Sequence, residues 1–346
     1  MKRYKNLIIA GGALAALALI LVVLFCLLPG KESVPDPIIL NREDKLVGIC
    51  LPDESDAWLT AGKQLKKELT EVGYQIELCY ADGTAQTQNR LLLELMDKGA
   101  DCLVVAPVDS AVMTEASQAA LEKKIPILSY GSLLMDTAAV AGYICYDYQG
   151  MGEEIGRYVV QKLSLQNAER DDKIYTAELF MGSPEDYNAV LLHKGIMNVL
   201  SPYLEAGVLE CKSRRTDFED CCIQDWSAAE AERLTGNRLK NYLGVAPDVC
   251  ICASDSIAAG VIRGLEANAL TGFVTGNGAT EEGLANLKAG KQGLTVRTDP
   301  SSPAKLCAAM ADLAVFGAAP DFALGEVFNN VVAVPTALCP FTLVDE

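Results

Sequence analysis

D-C-L-V-V-A-P (101–107) is an unbroken apolar run closed by a proline, and the reading of the fold starts there. A strand with one wet face alternates apolar and polar residues. A strand buried on both faces reads continuously, and such strands belong to parallel sheets covered by helices. Upstream, K-L-V-G-I-C-L (45–51) is a similar run and Y-Q-I-E-L-C-Y (74–80) alternates; downstream, I-P-I-L-S-Y (125–130) follows. Between these runs, residues 57–72 and 84–98 carry helical periodicity and stop at Gly73 and Gly99, residues suited to left-handed helix caps. A third helix, opened by Asp109 or Ser110, is expected to run to Lys123. The order is βαβαβαβ, which requires parallel pairing and right-handed crossovers.

The pattern then repeats. Strand-like runs fall at 173–181, 249–253, 271–276 and 293–298, with helices at 149–163, 186–200, 227–242, 255–267, 280–289 and 302–317. Residues 207–226 are irregular, and V-V-A-V-P (331–335) with the tail reads as a last strand and its return. No short-period repeat is present, which excludes solenoids and propellers. The expected fold is α/β: two doubly wound parallel-sheet lobes. Ligands of such sheets sit outside the carboxyl ends of the strands.

The first thirty residues differ from the rest. Lys2, Arg3 and Lys5 precede an uncharged apolar run from Leu7 to Leu28, long enough to span a bilayer as a helix. The only A-L-A tripeptide, Ala13 to Ala15, lies inside that run, and bulky Phe25 precedes Cys26 where a lipoprotein carries a small residue. Residues 1–30 are therefore expected to form an uncleaved N-terminal transmembrane anchor, with a processed signal or lipoprotein as the alternative. The basic flank places the remainder outside the cytoplasmic membrane. Residues 31–43 read as a linker.

The net charge of −17, with no basic stripe, argues against nucleic acid and anionic lipid as partners. Of twelve cysteines, eleven lie beyond Cys26; Cys50, Cys79, Cys102, Cys145, Cys250 and Cys252 sit singly in apolar runs and read as core. Adjacent Cys221 and Cys222 are the candidates for redox chemistry. The single histidine, His193, sits in L-L-H-K-G, which removes most histidine-bearing zinc sites and nearly every Ser-His-Asp or Cys-His arrangement. There is no G-x-x-x-x-G-K-[ST] and no G-x-S-x-G. G-N-G-A-T-E (276–281) reads as a strand-end turn. Acidic pairs after strands, Asp53 with Asp56 and Glu185 with Asp186, suit hydrogen bonding to ligand hydroxyls better than glycosidase chemistry. No enzyme activity, metal or cofactor is expected.

Seven stretches carry a family likeness: V-G-I-C-L-P (47–52) with Trp58, L-V-V-A-P-V-D (103–109), I-P-I-L-S-Y (125–130), E-L-F-M-G-S-P-E-D-Y-N-A (178–189), W-S-A-A-E-A-E-R-L (226–234), D-V-C-I-C-A-S-D-S-I-A-A-G (248–260) and V-T-G-N-G (274–278). Together they resemble the type I periplasmic-binding-protein family of sugar ABC transporters, in its xylose-binding and multiple-monosaccharide-binding branch. The resemblance implies two lobes joined by three crossovers, near Asp147, near 277–298 and near 329–331. The lobes would be 44–146 plus 299–329 and 147–298 plus 330–346. It also implies a cleft that closes on a sugar-like ligand, presented by a monomer to an ABC importer, or alternatively to a receptor or histidine kinase by an anchored sensor.

Carried over residue by residue, Trp58 matches the stacking aromatic, Asn188 the amide of the G-S-P stretch, Asp255 the acidic ligand contact, Asn277 a polar cleft residue and Asp147 the first hinge. Tyr130, Ser132, Glu185, Ser254 and Thr298 complete the expected ligand-binding set as strand-end positions. The chain also departs from the family. Gly131 and Ser132 stand where an aspartate–arginine pair is usual, Gly278 replaces an aspartate, Ala57 an arginine and Thr298 a lysine. Charged hydrogen bonds are worth about 1.5–3 kcal/mol each, so these departures imply a ligand that is different from the usual monosaccharide, more weakly held, or met by waters and unmatched groups. Trp226 is expected to lie on a helix packed away from the cleft.

Overall fold

β1 (Leu46–Leu51) sends Val47, Ile49 and Leu51 to one apolar cluster and Cys50 to another, because successive side chains point to opposite faces of a strand. β3 (Cys102–Val105) does the same, with Cys102 and Val104 on one face and Leu103 and Val105 on the other. Both faces are dry, which is why these runs show no polar alternation.

The computed structural model describes residues 40–110, 114–168, 170–184 and 186–345. The expected anchor at residues 1–30 and most of the linker lie outside the described residues. Among the described residues no helix is long and apolar enough to cross a membrane.

The first sheet adds β2 (Gln75–Tyr80), β4 (Ile127–Tyr130), β5 (Val140–Tyr146), β11 (Gly325–Phe328) and β12 (Ala333–Cys339) in the order β11-β12-β5-β4-β3-β1-β2. All neighbours are parallel except β11 with β12. Helices α1 (Asp56–Glu71) and α10 (Ser302–Phe316) cover one face through Leu65, Leu69, Ala304, Cys307 and Met310. Helices α2 (Ala85–Asp97) and α3 (Thr114–Lys123) cover the other through Leu92, Leu95, Met96, Ala116 and Ala120.

The second sheet holds β6 (Tyr175–Phe180), β7 (Leu209–Glu210), β8 (Val249–Cys252) and β9 (Phe273–Val274) in the order β7-β6-β8-β9. A parallel bridge between Thr275 and Leu294 leads on toward β10 (Thr295–Thr298), which pairs antiparallel with β13 (Phe341–Val344). α4 (Tyr148–Leu163) and α5 (Tyr187–Glu205) fill one face with Ile155, Val159, Leu192 and Ile196. They approach so closely that a Cβ on Gly152 or Gly195 would overlap the backbone of the facing helix. On the other face lie α7 (Ala228–Arg238) and α8 (Asp255–Glu266), the latter packing through Ile257, Val261 and Leu265. α6 (Phe218–Cys221) lies in the irregular connection, and α9 (Glu281–Lys288) follows β9.

Three differences from the sequence expectations have physical causes. β5 is a further strand after the expected four, and its Gly142 is packed where Leu128 and Met310 leave no room for a side chain. The helix expected over 227–242 ends at Arg238 and tightens into a short 3-10 turn. The third crossover is not near 329–331: residues 333–339 belong to the first sheet, and the chain passes to the second only at Pro340. The strand was expected at 331–335, its continuation to Cys339 hidden by Pro335, which cannot donate to a ladder. The parallel pairing with β5 begins one residue later, at Thr336 opposite Tyr143.

Candidate functional site between the strand ends

The connections decide which edges meet. β5 and β12 run parallel, and the chain leaves the first sheet from the carboxyl end of both, at Tyr146 into Asp147 and at Cys339 through Pro340. From the second sheet it leaves at Thr298, the carboxyl end of β10, into α10, which packs on the first sheet. Each lobe therefore stands at the carboxyl ends of the other's strands, where ligands of such sheets bind.

Tyr146 marks the junction. It packs against the core clusters of both lobes, its hydroxyl donates to the Asp299 carbonyl at 3.3 Å, and its ring meets Tyr148 edge-on at 6.2 Å. Thr298 lies beside the same hydroxyl. Asp147 begins α4, with Oδ1 accepting from the Gly150 N–H at 2.8 Å.

On the first lobe, Trp58 occupies the opening turn of α1, half-buried against the apolar cluster. Its outer ring carbon lies 3.8 Å from the place a Cβ on Gly131 would take. Gly131 turns the chain after β4 with φ of +78°, and its carbonyl accepts from the Tyr143 hydroxyl at 3.1 Å. Tyr130 is only 6% exposed, and burial pushes its hydroxyl pKa well up, so it backs the wall from behind. Ser132 is exposed.

On the second lobe, Asn188 is half-buried in the first turn of α5, where its N–H is held by Asp186 Oδ1 at 2.9 Å. Residues 221–223 run beside the exit of β6: the Met181 N–H donates to the Cys221 carbonyl at 2.8 Å and the Ile223 N–H to that of Gly182 at 3.1 Å. Asp225 and Trp226 then both adopt φ of +54°, and this turn brings the Trp226 ring onto Gly182. Trp226, expected away from the cleft, thus stands at the carboxyl end of β6. The signal available in the sequence was its position just before the N-cap Ser227, outside the helix rather than on its buried face.

Asp255 also differs from its expected role. It is fully buried, and its carboxylate accepts four hydrogen bonds: from the Thr280 N–H (2.8 Å) and hydroxyl (3.1 Å), from Gln292 Nε2 (2.9 Å) and from the Thr295 hydroxyl (2.7 Å). A carboxylate has about four acceptor positions, so none remains for a ligand here. Asp255 ties α8, the turn before α9 and β10 together. Ser254 is likewise occupied, capping α8 by accepting from the Ile257 N–H at 3.2 Å. Asn277 is half-buried; its carbonyl accepts from the Asp255 N–H at 2.9 Å, and Gly278 follows with φ of +124°. Glu185 lies outside the described residues. A shallow recess of about 510 Å³ opens beside this network, lined by Ser256, Thr280, Glu281, Glu282 and Ala285.

Among the described residues no cysteine is in a disulfide, Cys221 and Cys222 included. Cys221 is buried, which raises its pKa to about 12, while the Cys222 thiol turns to the Glu219 carbonyl. Among the described residues no group of three or more His, Cys, Asp or Glu side chains is placed to hold a metal ion.

Two α/β lobes with opposed strand ends, joined by three crossovers, define a two-lobed solute-binding protein. Residues 47–319 match the model of the periplasmic binding protein domain, and the chain belongs to that family. It is similar to a multiple sugar-binding periplasmic protein of Azospirillum brasilense, 28% identical over 289 residues and covering 80% of this chain and 79% of the relative. It is 26% identical over 262 residues to the D-xylose-binding periplasmic protein of Escherichia coli, covering 75% and 74% of the two chains. Among solved structures it resembles an ABC transporter solute-binding protein from Clostridium phytofermentans with bound β-D-glucose. That match has a TM-score of 0.73 and 30% identity, and covers 87% of this chain and 94% of the other. The chain is accordingly a binding protein of an extracytoplasmic family, not an enzyme.

Proposed function

We propose that this protein captures a sugar-like solute between its lobes and delivers it to an ABC importer. The observation that carries the reading is the presence of an aromatic wall at the strand ends of each lobe, Trp58 on one side and Trp226 on the other. Indole faces cover the apolar side of a sugar ring while side-chain oxygens and amides meet its hydroxyls. Those polar groups are Ser132, Asp147, Asn188, Asn277 and Thr298. Asp255 and Ser254 support the wall rather than touch the ligand. The lobes on this reading are 44–146 with 299–339, and 147–298 with 340–346. Closure bends the chain at Asp147, at 299–301 and at Pro340, since hinges are a few element-terminal residues.

The apolar run from Leu7 to Leu28 holds the protein at the outer face of the membrane. That retained anchor favours a second reading, a sensor presenting its ligand state to a receptor or histidine kinase. Cross-linking in native membranes separates the two: a permease partner supports import, a kinase supports sensing.

The binding reading is tested by thermal-shift screening of the full-length protein against pentoses, hexoses, polyols, their acids and amines. A ligand at 100 times its dissociation constant stabilises by about 2.7 kcal/mol. A screen in which no member of the panel raises the melting temperature overturns the reading.

A further inference from the structure

Among the described cysteines, Cys50 and Cys79 are the pair that a strand ladder sets opposite each other: β1 and β2 run parallel with Cys50 in register with Cys79. Residues in register point to the same face, and both side chains enter the apolar cluster beneath α2. Cys50 is fully buried and Cys79 is partly exposed. Neighbouring strands lie about 4.8 Å apart, inside the about 4.4–6.8 Å that a disulfide spans between Cα atoms. β2 is the outermost strand of its sheet, so no further strand resists the small approach of the two Cβ atoms that a disulfide requires.

The two thiols are in hydrogen-bond contact, with the Cys50 S–H donating to Cys79 Sγ and the Cys79 thiol reaching the Ile49 carbonyl at 3.4 Å. That bond, helped by the Lys98 ammonium, holds the Cys79 pKa below the ordinary thiol range against the opposing effect of burial. The same bond, with burial, pushes Cys50 up. The more exposed sulfur is therefore the better nucleophile, and the buried one beside it is placed to resolve. Other cysteines lack this arrangement. Cys221 and Cys222 turn to separate carbonyls, those of Phe218 at 3.6 Å and Glu219 at 3.3 Å. Cys145 and Cys339 lie on neighbouring strands but enter clusters on opposite faces of the sheet.

Proteins of extracytoplasmic families work where disulfides form and persist. We propose that Cys50 and Cys79 are a site of reversible oxidative cross-linking, closed by thiol–disulfide exchange with a disulfide oxidant, RSSR, and reopened by thiols. The Cys79 thiolate attacks one sulfur of RSSR, forming a mixed disulfide and expelling RS⁻. Cys50 then attacks the Cys79 sulfur, and its proton leaves with the second RS⁻. Two protein thiols and RSSR thus give one protein disulfide and two RSH. The new bond closes residues 51–78 into a loop that holds α1 and Trp58. It fastens the outermost strand and stabilises the first lobe by restricting the unfolded chain. None of this depends on which ligand the cleft takes.

The test uses full-length protein, fully reduced and then exposed to excess oxidised glutathione. Remaining thiols are blocked with N-ethylmaleimide, and tryptic peptides are weighed. Cleavage after Lys45, Lys63, Lys67 and Arg90 puts Cys50 in peptide 46–63 and Cys79 in peptide 68–90. The expected product is these two peptides joined, lighter than their sum by two hydrogens. The oxidised protein should melt at least about 3 °C above the reduced one, and dithiothreitol should reverse both changes. Cys79→Ser, at the partly exposed position, should show neither. Glutathione or maleimide adducts on both cysteines with no joined peptide overturn the proposal. So does a rise in melting temperature that persists in Cys79→Ser, since another pair would then be responsible. A joined peptide with no rise in melting temperature overturns the stabilising role. The peptide map needs only the native chain, so it decides the matter even where the variant folds poorly.

Discussion

The six-membered ring of Trp226 abuts the Cα of Gly182, leaving no room for even a methyl group between them. Residues 44 positions apart in sequence are thereby locked together at the carboxyl end of β6. Gly182→Ala must push the indole off its seat. Overpacking of this kind costs about 1–3 kcal/mol. The expected outcome is a lower melting temperature and an altered Trp226 emission, read in a Trp58→Phe background. An unchanged spectrum would show that the ring has another place to go.

Trp58 is half-buried, so its truncation should act mainly on binding. Trp58→Ala is expected to weaken ligand binding by about 1–3 kcal/mol. Its stability cost should stay below the about 3–5 kcal/mol of a fully buried aromatic. Melting and titration of the one variant check both. Unaltered affinity in a stable variant would remove Trp58 from the site.

Asp255→Ala should behave in the opposite way. It strands the Thr280 N–H, the Gln292 amide and the Thr295 hydroxyl, and each buried unsatisfied donor costs about 1–3 kcal/mol. Destabilisation by at least about 3 kcal/mol is expected, measured by denaturant unfolding. A variant that melts normally but loses ligand would make Asp255 a contact residue after all.

His193 allows a clean pH experiment because it is the single histidine. Burial lowers its pKa below the ordinary 6.5, although Nε2 donates to the Thr216 carbonyl at 2.8 Å. Between the unfolded pKa and the lower folded one, the unfolded chain binds more protons, so stability rises with pH. Its contribution is whole above about pH 6.5 and is lost as pH falls through the folded pKa. The melting temperature should therefore drop on acidification from pH 7 toward pH 5, and His193→Gln should flatten that slope. A ring titrating by NMR above 6.5 would contradict the burial argument.

The architecture was legible in the sequence because its cause is local. Strands buried on both faces read as continuous apolar runs, as 102–106 and 249–253 do, and helices between them must show one apolar face. The α/β alternation and the parallel sheets follow from that pattern. The position of Trp58 in the opening turn of a helix after the first strand was legible too.

What only the tertiary structure decided are the places where a residue's partner is distant in sequence. Glu178 sits in an apolar strand, yet it is buried with Ser213, Tyr242 and Arg238 around its carboxylate. Asp255 reads as a helix opener, and its burial depends on Gln292 and Thr295 arriving with β10. Trp226 reaches Gly182 at the carboxyl end of β6 only because two successive left-handed residues turn the chain back onto it. Residues 333–339 join the first sheet because β5 offers them an open edge. A carboxylate, an indole or a strand edge has the same local signature whether it meets protein or ligand, and folding alone assigns which partner comes within reach.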